Sequence, residues 1–118
     1  MRCAPEDLEL VGAAVSALRR GAGPLLHPAA AAVRTADGRV VSALALGALC
    51  AEPSAVAAAL GQGGRAATLV AVRHVTHDAT RVTAPCGSCR ALLAQHAPGL
   101  RVVHLADGLQ VSRVGELP

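Results

Sequence analysis

A chain of 118 residues that contains no Phe, Tyr or Trp must build its core from Leu, Val and Ala, which bury little area each. Its length suits one domain over residues 1–118, and its apolar content of 53% favours a homo-oligomer that covers more of this surface. The formal charge of +3 is mild, the arginines are scattered and no aromatic ring can stack on bases, so nucleic-acid binding is disfavoured.

The same features favour a cytoplasmic protein with no membrane association. The residues after Met1 lack the charged and then apolar pattern of a secretory signal. The most apolar stretch, residues 40–60, is interrupted by Cys50, Glu52 and Pro53, which argues against a membrane span. In such a chain, cysteines more often serve metal or redox chemistry than structural disulfides.

The first half of the chain predicts a helix, two strands and a helix. Pro5 starts the first helix and Gly21 ends it. Strands follow over residues 29–35 and 40–46, joined by the turn at Asp37-Gly38. The near-continuous apolar character of residues 40–46 predicts a strand that is buried on both faces.

The second half predicts one central strand, one more helix and a hairpin. A polar, irregular loop is expected over residues 74–83, and the whole pattern predicts an α/β protein with a mixed sheet that carries helices on its faces. The predicted elements from the second helix onwards are helices over 50–60 and 87–97 and strands over 68–73, 101–105 and 109–114.

Two short segments carry the chemistry of the chain, Cys50-Ala51-Glu52 and Cys86-Gly87-Ser88-Cys89-Arg90. A Cys-x-x-Cys spacing turns both sulfurs to one side, so Cys86 and Cys89 can hold one Zn²⁺, and Cys50 would add a third thiolate while leaving a position for water. Glu52 is close enough to Cys50 to move the protons of that water. This arrangement predicts a catalytic rather than a structural zinc site.

Both segments are expected at the amino ends of helices. Three thiolates on one Zn²⁺ leave a net negative charge, which the free N–H groups of two helix ends would offset. Arg90 is predicted to support the site from behind the ligands, by donating to a thiolate.

The two segments together resemble the signature of the zinc-dependent cytidine deaminase family, in its short, blasticidin-S-deaminase-like form. The resemblance extends to residues 36–39 and 113–118 and covers most of the chain from Leu8 onwards. It implies a three-layer α/β fold with a five-stranded mixed sheet and helices on both faces. It also implies a homotetramer whose active sites lie near subunit contacts.

The resemblance implies zinc-dependent hydrolytic deamination of a cytosine-like base, nucleoside or nucleoside antibiotic, with release of ammonia. Glu52 would pass protons from water to the ring nitrogen and to the departing amine. The backbone of Ala51 and that of Ala84 would hold the amide edge of the base.

The chain departs from this family in the residues that choose the substrate. Members that act on cytidine bind the ribose hydroxyls with an Asn and a Glu, and residues 40–49 contain neither. The aromatic ring that stacks on the base is missing, as is the aromatic-bearing tail that covers the site in the short form. Pro53 stands where many relatives have an Arg after the Glu. The substrate therefore stays open, as does a contribution from a neighbouring subunit.

Three other interpretations of the cysteines stay open. Cys86 and Cys89 at a helix start also suit a thiol–disulfide oxidoreductase. Cys3 would complete a structural zinc site as a fourth thiolate. A non-catalytic zinc-binding protein of the deaminase fold is the third.

The histidines carry weaker signals. His74, His77 and Asp78 are explained by a polar loop, or by a wall of the substrate pocket if they have a function. The three remaining histidines are expected to be structural or exposed, at His27, His96 and His104.

Overall fold

Three α-helices and six strands organise the part of the chain that the computed structural model describes, residues 1–76 and 78–118. The helices are α1 (Pro5–Arg20), α2 (Ala51–Gly61) and α3 (Gly87–His96). The strands are β1 (Ala29–Thr35), β2 (Val40–Leu44), β3 (Ala66–His74), β4 (Thr80–Thr83), β5 (Arg101–Leu105) and β6 (Leu109–Arg113), and a 3-10 turn follows at Val114–Glu116. Each helix starts within one residue of the predicted position.

Strand β3 is the centre of a mixed sheet ordered β2-β1-β3-β5-β6. One edge of β3 pairs antiparallel with β1. The other edge pairs parallel with β5 through residues 68–70 and then antiparallel with β4 through residues 71–74. The predicted α/β class and mixed sheet are confirmed, with six described strands in place of five.

The two faces of the sheet are covered by different helices. Ala30, Ala32, Val70 and Val72 point towards α1, and they form one apolar cluster with its buried leucines. The alternate residues of β1 and β3 point towards α2 and α3 and form the second cluster. This two-sided burial explains why the alanine-rich β1 is a strand, since packing outweighs the helix propensity of Ala.

Strand β2 differs from the prediction that both of its faces are buried. It pairs with β1 alone, lies at the edge of the sheet and ends at Leu44, two residues earlier than predicted. Val40 is exposed, and Leu46 leaves the strand to bridge Leu49 in a tight turn at Gly47, which has a positive φ of 57°. An apolar run alone does not show which strand will have neighbours on both sides.

The prediction of an irregular loop over residues 74–83 is wrong at both ends. Strand β3 continues to His74, and Thr80–Thr83 forms β4 against it. The β-branched residues of β4 suit a pleated surface, and Val82 among them is buried. Residue His77, between the two strands, lies outside the described residues.

The last hairpin forms as predicted, with β5 and β6 in antiparallel register around Asp107 and Gly108. Both turn residues have positive φ, 56° and 94°, a conformation that suits Asp and Gly. Within the ranges 1–76 and 78–118, no helix combines the length and apolarity that crossing a membrane requires.

Candidate active site

Helices α2 and α3 bring three cysteines together at their amino ends. Cys50 is the N-cap of α2 and Cys86 the N-cap of α3, and neither helix has a side chain that caps it. Cys89 lies in the first turn of α3 and is buried. The three sulfurs all lie within 4.8 Å of one another.

The spacing and chemistry of this donor set fit a zinc ion. Sulfurs that share one tetrahedral Zn²⁺ lie about 3.8 Å apart, given Zn–S bonds of about 2.3 Å. The observed limit of 4.8 Å is close to this value, so small side-chain movements suffice to bind the ion. Cys3 packs instead against the apolar cluster on the α1 side of the sheet, so the structure does not bring it to this group.

The electrostatics of the thiols also suit a cation. The Ser88 hydroxyl, whose oxygen is 3.3 Å from the Cys86 sulfur, and then the Cys89 backbone amide lower the pKa of Cys86 to about 7. Burial, followed by contacts with the other two sulfurs, raises the pKa of Cys89. Cys86 is therefore partly ionised at neutral pH, whereas further negative charge among these sulfurs needs a positive partner.

Glu52 is a buried carboxyl in the first turn of α2, with 7% of its surface exposed. Burial raises its pKa, and its own backbone amide and the charge of Arg73 oppose this effect only in part. A carboxyl whose pKa moves towards neutrality is suited to accept and return a proton.

A cavity of about 270 Å³ joins these groups. The predicted site residues along its wall are Cys50, Ala51, Glu52, Ala84 and Cys86. Residues from two distant segments of the chain thus meet at one opening, next to the three sulfurs. Apart from Arg73 and Thr83, the remaining wall is made of small and aliphatic side chains, consistent with the absence of aromatic residues.

Arg90 makes different contacts from the predicted bond to a thiolate. Its guanidinium donates to the Pro85 carbonyl at 2.8 Å and to the Pro118 carbonyl at 2.7 Å. Its backbone N–H donates to the Cys86 carbonyl at 2.8 Å. Arg90 therefore holds the segment that carries Cys86 against the end of the chain.

The cavity also contains a residue that sequence reasoning missed, Arg73 near the end of β3. The signal was present in the alternation of β3, because Arg73 is in phase with Leu69 and Ala71, which face α2 and α3. The neighbouring His74 has both ring nitrogens buried and without a hydrogen-bond partner among the described residues.

The two remaining buried or half-buried histidines make local contacts. His27 Nδ1 lies 3.0 Å from the Ala45 carbonyl, and His104 Nε2 lies 2.8 Å from the Ser112 hydroxyl. These contacts agree with the structural role expected for both residues.

The fold defines the class of the protein. Over 93% of its length, the chain superposes on 84% of the cytidine deaminase from Bacillus anthracis with a TM-score of 0.78 at 19% identity. The cytidine deaminase from Mycobacterium leprae matches with a TM-score of 0.69 at 29% identity, over 92% of this chain and 94% of that one. The architecture is therefore that of the cytidine deaminases.

Sequence similarity identifies the family. The blasticidin-S deaminase of Bacillus cereus is 36% identical over 114 residues, which cover 87% of this chain and 81% of that protein. No family model matches the chain. The chain belongs to the cytidine deaminase-like family that includes blasticidin-S deaminase, which confirms the resemblance predicted from the cysteine and glutamate segments.

Proposed function

We propose that this protein is a zinc-dependent aminohydrolase that releases ammonia from a cytosine-like base, nucleoside or nucleoside antibiotic. The observation that carries the proposal is the meeting of three sulfurs, within 4.8 Å of one another, beside a cavity lined by a buried glutamate. Family membership supports the same chemistry, since the named relatives are deaminases.

In this proposal Cys50, Cys86 and Cys89 hold Zn²⁺, which when bound would lower the pKa of a coordinated water towards neutrality. Glu52 accepts a proton from the water and delivers it to the ring nitrogen next to the carbon that bears the amine. As the water loses that proton, its oxygen bonds to this carbon; the same carboxyl then carries the remaining proton of the new hydroxyl to the amine, whose bond to carbon breaks as the carbonyl forms. One water is consumed and one ammonia is released.

The backbone groups of Ala51 and Ala84, which line the cavity, would hold the amide edge of the base. Arg90 acts as a positioning residue, because its bonds to Pro85 and Pro118 hold the segment that presents Cys86.

A homotetramer, proposed from family resemblance, is supported by exposed leucines beside the cavity. Leu49 lines the cavity and is 61% exposed, and Leu46 in the same turn is 59% exposed. The neighbouring loop adds Leu25 and Leu26, joined to this turn by the bond from the Gly47 N–H to the Leu26 carbonyl at 3.0 Å. A second subunit would bury these side chains, and light scattering of the purified protein tests the assembly. The cytoplasmic location stays a prediction.

The test of the proposed activity is ammonia release by the zinc-loaded protein across free bases, nucleosides and nucleoside antibiotics. We expect turnover of at least one substrate and about one zinc per chain, as in other catalytic sites of this ligand type. Glu52→Gln should retain the zinc and lose about 10²-fold to 10⁴-fold in kcat, the usual contribution of a general acid–base group. No turnover of the whole panel by the metal-loaded protein would favour a non-catalytic zinc-binding protein.

One observation favours a second candidate, a thiol–disulfide oxidoreductase. Cys86 is exposed, its pKa is lowered to about 7 by the Ser88 hydroxyl, and two residues separate it from Cys89 at a helix start. Purified protein without zinc, containing a readily reducible Cys86–Cys89 disulfide, would support that function instead.

A further inference from the structure

Two arginines face each other across β3 and β4 at the rim of the cavity. Arg73 and Arg81 are direct partners in the antiparallel register. The next pair, Val72 and Val82, belongs to the apolar cluster on the α1 side. Because side chains alternate along a strand, both arginines project from the opposite face, where α2 and α3 lie.

These arginines connect the active-site cavity to a second one. Arg73, Thr83 and Ala84 line both the cavity that contains Glu52 and a neighbouring cavity of about 340 Å³. Arg81 lines only the second cavity, whose wall includes no Asp or Glu among the described residues. A substrate can therefore place a ring in the first cavity and a substituent in the second.

Neither arginine of this pair forms a close ion pair within the described protein, although the charge of Arg73 acts at longer range on Glu52 in the first cavity. Like charges that stand directly opposite in a sheet are destabilising. Among residues 1–76 and 78–118, the one ion pair shorter than 4.0 Å joins Arg39 to Asp37. No carboxylate of the described residues therefore lies within 4.0 Å of the guanidinium of Arg73 or Arg81. The second cavity therefore presents two cationic groups to whatever enters it.

Resting on the proposed deaminase function, we propose that the second cavity binds an anionic group, a carboxylate or a phosphate, of a substrate whose aminopyrimidine ring lies beside Glu52. Paired guanidinium forks match the oxygens of such groups and form the stronger, charge-assisted kind of hydrogen bond. The wall of the first cavity at Ala45, Gly47, Ala48 and Leu49 carries no polar side chain that could hold a neutral hydroxyl.

The test compares three substrates of the zinc-loaded protein: cytidine, cytidine 5′-monophosphate and the 5′-carboxylic acid of cytidine. We expect kcat/KM for at least one anionic substrate to exceed that for cytidine by about tenfold or more, and the two anions identify which group is preferred. Arg81→Gln should reduce this ratio about tenfold or more, because Arg81 lies in the second cavity alone. Arg20→Gln is the matched control, since it removes the same charge from an exposed residue at the end of α1 and should leave the ratio unchanged.

A binding measurement separates this inference from the proposed function. Uridine 5′-monophosphate should raise the Tm of the zinc-loaded protein more than uridine does, and Arg81→Gln should abolish that difference. Suppose that the wild type turns over no substrate but shows this Tm difference, and that Arg81→Gln abolishes it. That result would overturn the deaminase and leave the anion site. Equal kcat/KM for cytidine and both anions, in an active enzyme, would overturn the anion site and leave the deaminase.

Discussion

Helices α1 and α2 begin with similar residues that make different contacts. Each has a cysteine close to its start and a buried acid in its first turn, Asp7 at 4% and Glu52 at 7% exposure. In α1, the Asp7 carboxylate accepts a hydrogen bond from the Ala4 N–H at 2.8 Å, and Cys3 packs into the nearby apolar cluster. In α2, Glu52 lines a cavity and the Cys50 sulfur approaches those of α3.

The two helices differ in whether the first-turn carboxylate binds an N–H group at the amino end of its own helix. In helix α1 the Asp7 carboxylate satisfies one N–H group, that of the N-cap residue Ala4, so this carboxylate is committed to the fold. None of the three helices has an N-cap side chain that caps it, and α2 and α3 also have no first-turn carboxylate bound to the N-cap N–H, so their amino ends stay available to negative charge in the cavity. Glu52 makes no such bond to the N-cap of α2 and faces the cavity instead.

The largest expected effect tests the two cysteines. Cys50→Ser should lower the zinc content from about one ion per chain to a small fraction, since a hydroxyl is a poor substitute for a thiolate ligand. Cys3→Ser, the matched control, should leave the zinc content unchanged because Cys3 lies on the other side of the sheet. The measurement is elemental analysis after dialysis. Equal zinc loss in both variants would contradict the proposal that Cys50 binds zinc and Cys3 does not.

A smaller effect, of opposite sign at the two sites, is expected from the acids. Asp7→Ala should lower the free energy of unfolding by about 1–2 kcal/mol, because it removes the acceptor for the Ala4 N–H. Glu52→Gln should leave that free energy unchanged or raise it at pH 7, since a buried charge with a raised pKa becomes neutral. Urea denaturation of the metal-free proteins measures both. Similar losses in the two variants would contradict the comparison.

The smallest effect concerns an exposed acid that is fully committed to a turn. Hydrogen bonds from the Thr35 hydroxyl and then from Arg39 lower the pKa of Asp37 below its ordinary value of 3.8. Its stabilising contribution is therefore present above pH 3.8 and is lost as the pH falls through the folded-state pKa. Glu52 has the opposite sign, because its raised pKa removes stability as the pH rises above 4.5.

Asp37→Asn should therefore reduce the gain in stability that accompanies rising pH below 3.8. Glu52→Gln should remove the loss of stability that accompanies rising pH above 4.5. The Tm of metal-free wild type and both variants, recorded across this pH range, tests the two signs. Parallel curves of Tm against pH for all three proteins would contradict both predictions.

Local signals predicted the helices well because those signals act over a few residues. Pro5 and Gly21 bracket α1 as expected, and Pro53 placed Cys50 and Glu52 at the start of α2. The helix predicted over residues 87–97 put Cys86 and Cys89 at its start, where α3 has them. The structure brings the sulfurs of these two helices together, and the roles of the residues stay predictions.

Long-range pairing was predicted less well. The edge position of β2 and the existence of β4 depend on which strands become neighbours, and residues 40–46 and 80–83 carry no local record of that choice. The partners of Arg90 were missed for the same reason, because Pro118 is 28 positions away in sequence.

By itself, the sequence determined the helix boundaries, the α/β class and the residues suited to hold zinc and move protons, since residue type and short spacing carry that information. The tertiary structure alone decided that Arg73 and Arg81 stand side by side next to Glu52. It also decided that Asp7 is committed to its own helix whereas Glu52 faces a cavity. The physical reason is that register and burial depend on contacts between distant segments, which no local pattern specifies.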